Sequence, residues 1–212
     1  MQQRTKAIQT YLVILTVLGW FALVCQFWIN INSKAAPVTE IIIRYFSYFT
    51  LLTNIIVALC CSALLLKPHS RLRNFFSRPT TLTAVTIYIL VVGVVYNTIL
   101  RILWMPEGLQ KIVDELLHTI IPALFLLFWI LFVAKTTLKW KNILPWLIYP
   151  LVYAIFILIR GAVSGFYPYP FVDVAILGLH RVLLNCLAVT FVFVIFSVLF
   201  VSIGKIANKP AG

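Results

Sequence analysis

With 63% hydrophobic and only 10% charged residues in a length of 212, at a mean hydropathy of +1.05, the chain carries more apolar surface than a soluble domain of this size can hide. The composition predicts a polytopic, all-α membrane protein, one bundle of six transmembrane helices over 1–212. The net charge of +12 does not point to nucleic acid, because the lysines and arginines fall between apolar runs in the alternating pattern of membrane topology.

Residues 1–9 have the charge of a signal-peptide n-region. The apolar run behind them is about twenty residues long and lacks an A-x-A-like end, so it reads as a retained first span at 11–30. A second span covers 41–66, entered through IIIRYFSYFTLLTNIIV, and a third covers 82–104, leaving through VVYNTILRILW. The fourth, 113–134, opens on two carboxylates and a histidine and then runs apolar. The fifth, 143–159, holds Pro145 near its start and Pro150 within it, which predicts a kink. The sixth covers 174–203, after a loop at 161–173 (GAVSGFYPYPFVD) whose glycines, prolines and tyrosines suit an ordered interfacial segment or re-entrant cap. Each run is long enough for a hydrocarbon core, which takes about 20 apolar residues. Cys25, Cys60, Cys61 and Cys186 lie in these runs without metal spacing or a disulfide framework, and read as packing residues.

Arg4 and Lys6 precede the first span. Lys67, Arg71, Arg73 and Arg78 follow the second, Lys135, Lys139 and Lys141 the fourth, and Lys205 and Lys209 the sixth. The opposite loops hold only Lys34 and Lys111, so both termini are expected on the cytoplasmic side. That orientation gathers the polar span residues into one exoplasmic layer. Arg44, Ser47, Thr50 and Asn54 come from span two, Tyr96, Asn97 and Arg101 from span three, and Asp114, Glu115 and His118 from span four. Arg160, Tyr167, Tyr169, Asp173, His180, Arg181 and Asn185 come from the end of span five onward. The bland reading is that Arg44, Arg101, Arg160 and Arg181 pair with Asp114, Glu115 and Asp173 and lock the bundle. A whole layer of such groups points instead to a polar cavity open to the outside.

His118 is the anomaly in span four, about 7 Å inside it at the helical rise. Asp114, four residues earlier, shares its face and is placed to fix the tautomer of a catalytic base. Metal binding by His118, His180, Asp114 and Asp173 lacks the H-x-x-x-H or H-E-x-x-H spacing, so no metal or cofactor is expected. There is no G-x-S-x-G elbow and no glycine-rich phosphate cradle. A nucleophile is therefore a buried hydroxyl: Ser47, Thr50 or Thr53 on span two, or Thr119. Thr119 points about 100° away from His118, which favours span two.

YFTLLTN on one helix and LHTIIP on a later one resemble the androgen-induced, androgen-dependent group of integral-membrane proteins and their bacterial six-span relatives. Tyr149-Pro150, Arg160-Gly161 and the YPYPF-x-D stretch extend the resemblance over most of the chain. Animal members are threonine hydrolases that cleave fatty acid esters of hydroxy fatty acids. The resemblance implies a nucleophile at Thr50, after Phe49, and a base at His118, which opens their H-T-x-x-x-P motif with its proline one residue closer, at Pro122. It also implies a lipid or fatty-acyl ester as substrate and a bacterial cytoplasmic (inner) membrane as location. Asn54, Tyr96, Asn97, Arg101, Arg160, Tyr167, Asp173, His180, Arg181 and Asn185 are then the substrate-contacting candidates. The rival reading is a non-catalytic binding protein or transporter, whose outer cavity takes an anionic small molecule or lipid headgroup. Transport is the weaker form, because the cytoplasmic halves of the spans offer no polar path.

Overall fold

The structure, a computed structural model, describes residues 2–66 and 70–206, with side chains from residue 6 onward. Lys67, Lys209 and the Arg4 side chain, part of the basic pattern above, lie outside the described residues. Among the described residues the regular structure is all helical. Five helices are long and apolar enough to cross a membrane: Lys6–Asn32, Pro79–Leu103, Gly108–Phe132, Trp140–Ser164 and Leu179–Ile206. A sixth span exists if the bent pair Val38–Tyr45 and Phe49–Leu65 counts as one. This is the architecture of a multi-pass membrane protein.

The chain packs as two compact units, one ending at Ala134 and one beginning at Lys135. The first holds α1 (Gln2–Asn32), α2 (Val38–Tyr45), α3 (Phe49–Leu65), α4 (Arg71–Phe76), α5 (Pro79–Val95), α6 (Gly108–Glu115) and α7 (Ile121–Phe132). Between lipid-exposed helices water drives nothing, so close backbone approach and hydrogen bonds must hold the bundle. α1 lies along α3 at Gly19, where a Cβ would come within 3.2 Å of Ala58 Cβ. Trp129 Nε1 donates to Thr83 Oγ1 at 2.9 Å, and the Tyr11 hydroxyl donates to the Leu124 carbonyl at 2.9 Å. Val57, Cys60, Cys61, Ile87, Ile89 and Phe125 fill the interior, and both cysteines are free thiols.

The expected span at 41–66 is not one helix. α2 and α3 meet at 68° across residues 46–48. Ser47 explains the break: its hydroxyl donates back to the Ile43 carbonyl at 2.7 Å, and its N–H turns to Arg44 O at 2.9 Å. Such local bonds offer the backbone an alternative to continuing the helix. Tyr45 then ties α2 to α1, through a hydroxyl bond to Leu23 O at 2.8 Å and edge-on packing against Phe27. The bend restarts the chain as α3 at Phe49, so Thr50 lies in a first helical turn rather than in mid-span.

The second unit holds α8 (Ile143–Trp146), α9 (Ile148–Ser164), α10 (Val174–Leu177) and α11 (Leu179–Ile206). The kink expected at Pro150 is an interruption at Leu147. A proline's missing N–H is felt one turn earlier, at the carbonyl it would have served. The sixth span starts at Leu179 rather than 174, because Gly178, with φ of 75°, separates it from α10. The 161–173 loop finishes α9, turns at Gly165 (φ 70°), and ends in a short 3₁₀ turn at Pro170–Val172. α11 packs on α8 and α9, with Gly204 so near the Lys135 carbonyl that a Cβ would lie 2.7 Å from it.

Candidate functional site

Two π turns face each other in the first unit. One, Tyr96–Leu100, follows α5; the other, Leu116–Ile120, joins α6 to α7. Single π turns inside helices recur at functional sites, and they widen the helix by one residue. The cause of the second is legible in Pro122. Proline has no N–H to give the His118 carbonyl four residues back, and the Ile121 N–H reaches past Leu117 to Leu116 O. The carbonyls of Leu117 and His118 thus lose their helical donors.

Two asparagines replace them. Asn54 Nδ2, on α3, donates to Leu117 O at 3.1 Å and to Thr50 O at 2.9 Å. Asn97 Nδ2 donates to Gly93 O at 2.8 Å and His118 O at 3.2 Å, with Thr119 Oγ1 at 3.4 Å. Leaving a buried carbonyl without a donor costs about 1–3 kcal/mol, so the buried Asn54 amide stabilises the π turn by that order and the exposed Asn97 amide by less. The close approach needs Gly93: a Cβ there would lie 3.1 Å from His118 O and 3.2 Å from Pro122 Cβ.

The π turn displays His118. Its Nδ1 lies 2.9 Å from the Asp114 main-chain carbonyl and 3.2 Å from Asp114 Oδ1. A carbonyl oxygen only accepts, so Nδ1 carries the proton and Nε2 keeps the free lone pair. The Tyr96 hydroxyl donates to the other oxygen of the same carboxylate. The Tyr96 ring stacks on the imidazole with centroids 3.8 Å apart and planes within 16°. Asp114 is 5% exposed and His118 14%. This is a histidine oriented by a carboxylate, with one nitrogen available as a base.

Asp114, not Glu115, faces the histidine. Glu115 pairs with Arg101, whose guanidinium lies 5.9 Å over the Tyr96 ring. Arg44 pairs with Glu40 at 2.8 Å, an i,i+4 contact within α2 that lies outside the expected set of carboxylate partners. Thr50 is buried, one turn before Asn54, and Asn54 bonds both the Thr50 and Leu117 carbonyls. The threonine turn and the histidine turn are therefore anchored to one amide nitrogen. Both hydrogens of that nitrogen are committed to main-chain oxygens, so Asn54 has none to offer a substrate. Asn97 is committed in the same way. Their role was missed in the sequence, although a signal existed: Pro122 stands four residues after His118.

The other candidates belong to the second unit. Arg160 Nη1 donates to Phe166 O at 3.3 Å and Ser164 Oγ at 3.4 Å, with its guanidinium 4.7 Å over the Phe166 ring. The Tyr167 ring seats on Gly161, where a Cβ would fall 1.9 Å from it. Asp173 caps α10, accepting from Ala175 N at 2.9 Å and Ile176 N at 3.2 Å. Asn185 Nδ2 donates to Phe171 O at 2.8 Å, holding the loop to α11, and Tyr169 stacks on Phe171. His180 and Arg181 are exposed. In this unit, then, Asp173 and Asn185 shape the loop. No family model, curated protein sequence or solved structure matches the chain.

Proposed function

We propose that the chain is a multi-pass membrane ester hydrolase in which Thr50 is the nucleophile, His118 the general base and Asp114 its orienting carboxylate. The observation that carries this reading is the oriented imidazole, with Nδ1 held by Asp114 and Nε2 left as acceptor, on a turn that Asn54 ties to the turn of Thr50. A threonine hydroxyl is a poor nucleophile until a base takes its proton. His118 Nε2 accepts that proton as Oγ1 attacks the ester carbonyl carbon. The tetrahedral intermediate collapses, the C–O bond to the alcohol breaks, and the imidazolium returns the proton to the leaving oxygen. Water, deprotonated by the same nitrogen, then releases the acid and restores Thr50. Because Asn54 and Asn97 are committed to carbonyls, the oxyanion falls to the start of α3, where the positive end of the helix dipole favours negative charge.

The resemblance to the androgen-induced group supplies the substrate class, a fatty-acyl ester, and a bacterial cytoplasmic membrane as the setting. With the bent pair α2–α3 as one span, six spans place both termini on the same side, and the basic loops make that side cytoplasmic. The rival reading, capture of an anion by surplus arginines, is weakened in the first unit because Arg44 and Arg101 both have carboxylate partners.

The test is turnover of long-chain acyl esters by purified protein in lipid nanodiscs. Thr50→Ala and His118→Ala each lower kcat by about 10²- to 10⁴-fold, and the double variant is no worse than either, because members of one catalytic unit are non-additive. Additive losses, or turnover that survives Thr50→Ala, would remove the assignment.

A further inference from the structure

Resting on the hydrolase reading, we infer that Tyr96 is the positioning residue of this site: its hydroxyl keeps the Asp114 carboxylate on His118 Nδ1 and its ring holds the plane of the imidazole, so that Nε2 stays aimed as the base. A carboxylate four residues before a histidine reaches the ring but is not fixed by it. Its two oxygens are equivalent, and rotation about the last side-chain bond exchanges them freely. A carboxylate held only by the imidazole is also free to swing away from it. The Tyr96 hydroxyl removes that freedom by donating to Oδ2, which leaves Oδ1 on His118 Nδ1 at 3.2 Å. At 4% exposure Tyr96 brings no water with it. A hydrogen bond to a buried carboxylate is among the stronger ones, because the acceptor is charged and water does not compete for it.

The ring acts separately. Stacked within 16° at 3.8 Å, it blocks one face of the imidazole and resists rotation about the last side-chain bond of His118. When Nε2 takes the threonine proton, the histidine becomes a cation against the electron-rich face of an aromatic ring, an arrangement that favours the charged form. The π turn fits this use. Tyr96 is the first residue of its π turn and His118 lies within the facing one, and Gly93, one turn before Tyr96, lets the two backbones approach. Tyr96 never touches the reacting atoms in this scheme; it acts through Asp114 and His118.

The test separates the hydroxyl from the ring. In a His69→Gln, His180→Gln background His118 is the sole histidine, and nitrogen NMR of the labelled ring reads its tautomer directly. The parent shows a protonated Nδ1 and an unprotonated Nε2. Tyr96→Phe keeps the stack and removes the hydroxyl: the backbone carbonyl still holds the proton on Nδ1, but the Nδ1–H resonance moves upfield as the freed carboxylate leaves it, and kcat falls about 10- to 100-fold with KM unchanged, the scale seen for partners that orient a functional ligand. Tyr96→Leu removes both and falls further. Asp114→Asn breaks the same link from the other side, and Tyr96→Phe/Asp114→Asn together cost no more than the worse single change. A Tyr96→Phe protein with the parental Nδ1–H resonance and parental kcat overturns the inference. The Nδ1–H resonance needs no substrate, so it stands or falls apart from the hydrolase assignment, which fails instead if Thr50→Ala retains turnover.

Discussion

Two prolines interrupt two spans, with different consequences. Pro150 sits in the first turn of α9, and the chain absorbs it by a one-residue interruption at Leu147 that leaves Ile148–Ser164 regular. Pro122 also sits in a first turn, that of α7, but there the helix runs straight back into α6, and the chain absorbs it by opening a π turn at Leu116–Ile120 whose bare carbonyls are filled by Asn54 and Asn97. The first is a helix start, where a missing N–H is tolerated. The second required two polar residues on two other helices to be buried or brought close. In an apolar surrounding such an arrangement is costly, and it places the oriented His118. The lesson is that a proline's location in its helix matters less than which side chains answer it.

The largest effect is expected at Asn54. Asn54→Leu strips the donor from the Leu117 carbonyl and cuts the amide link between the Thr50 and His118 turns, and is expected to lower stability by about 1–3 kcal/mol and to abolish turnover; thermal unfolding and ester hydrolysis in nanodiscs measure both. Pro122→Ala is next. It returns an N–H to the His118 carbonyl, lets the π turn close toward α geometry, and is expected to lower kcat at least 10-fold without lowering the unfolding temperature. A variant with unchanged kcat would separate the π turn from function. Asn97→Ala is smaller, a loss of about 1 kcal/mol, because the amide is exposed. The sharper form is the double variant: with Pro122→Ala supplying the missing donor, Asn97→Ala costs less than it does alone, a coupling that a double-mutant cycle reads. Pro150→Ala should do least, within about 0.5 kcal/mol and without effect on kcat.

The spans, the basic loops and the i,i+4 relation of Asp114 to His118 were legible in the sequence because each follows from short-range pattern: apolar run length, charge alternation, helical spacing. The break at 46–48 was not. IIIRYFSYF contains no proline or glycine, and Ser47 ends α2 only because its hydroxyl finds the Ile43 carbonyl while Tyr45 is held by α1. The stacking of Tyr96 on His118 was likewise hidden, since it depends on two π turns that shift register by one residue each. Asp173 and Asn185 illustrate the opposite error. Both are polar residues at the end of an apolar span, and both are used up by the loop beside them, one capping α10 and the other holding Phe171.

If Thr50 and His118 act as one chemical unit, covalent capture of the threonine must depend on the histidine. Purified protein is treated with a long-chain fluorophosphonate and the adduct is located by peptide mass spectrometry. The account predicts a single adduct on the Thr50 hydroxyl, absent in Thr50→Ala and at least 100-fold slower to form in His118→Ala, in keeping with loss of a general base. An adduct on another residue, or labelling of Thr50 at an unchanged rate without His118, would contradict it.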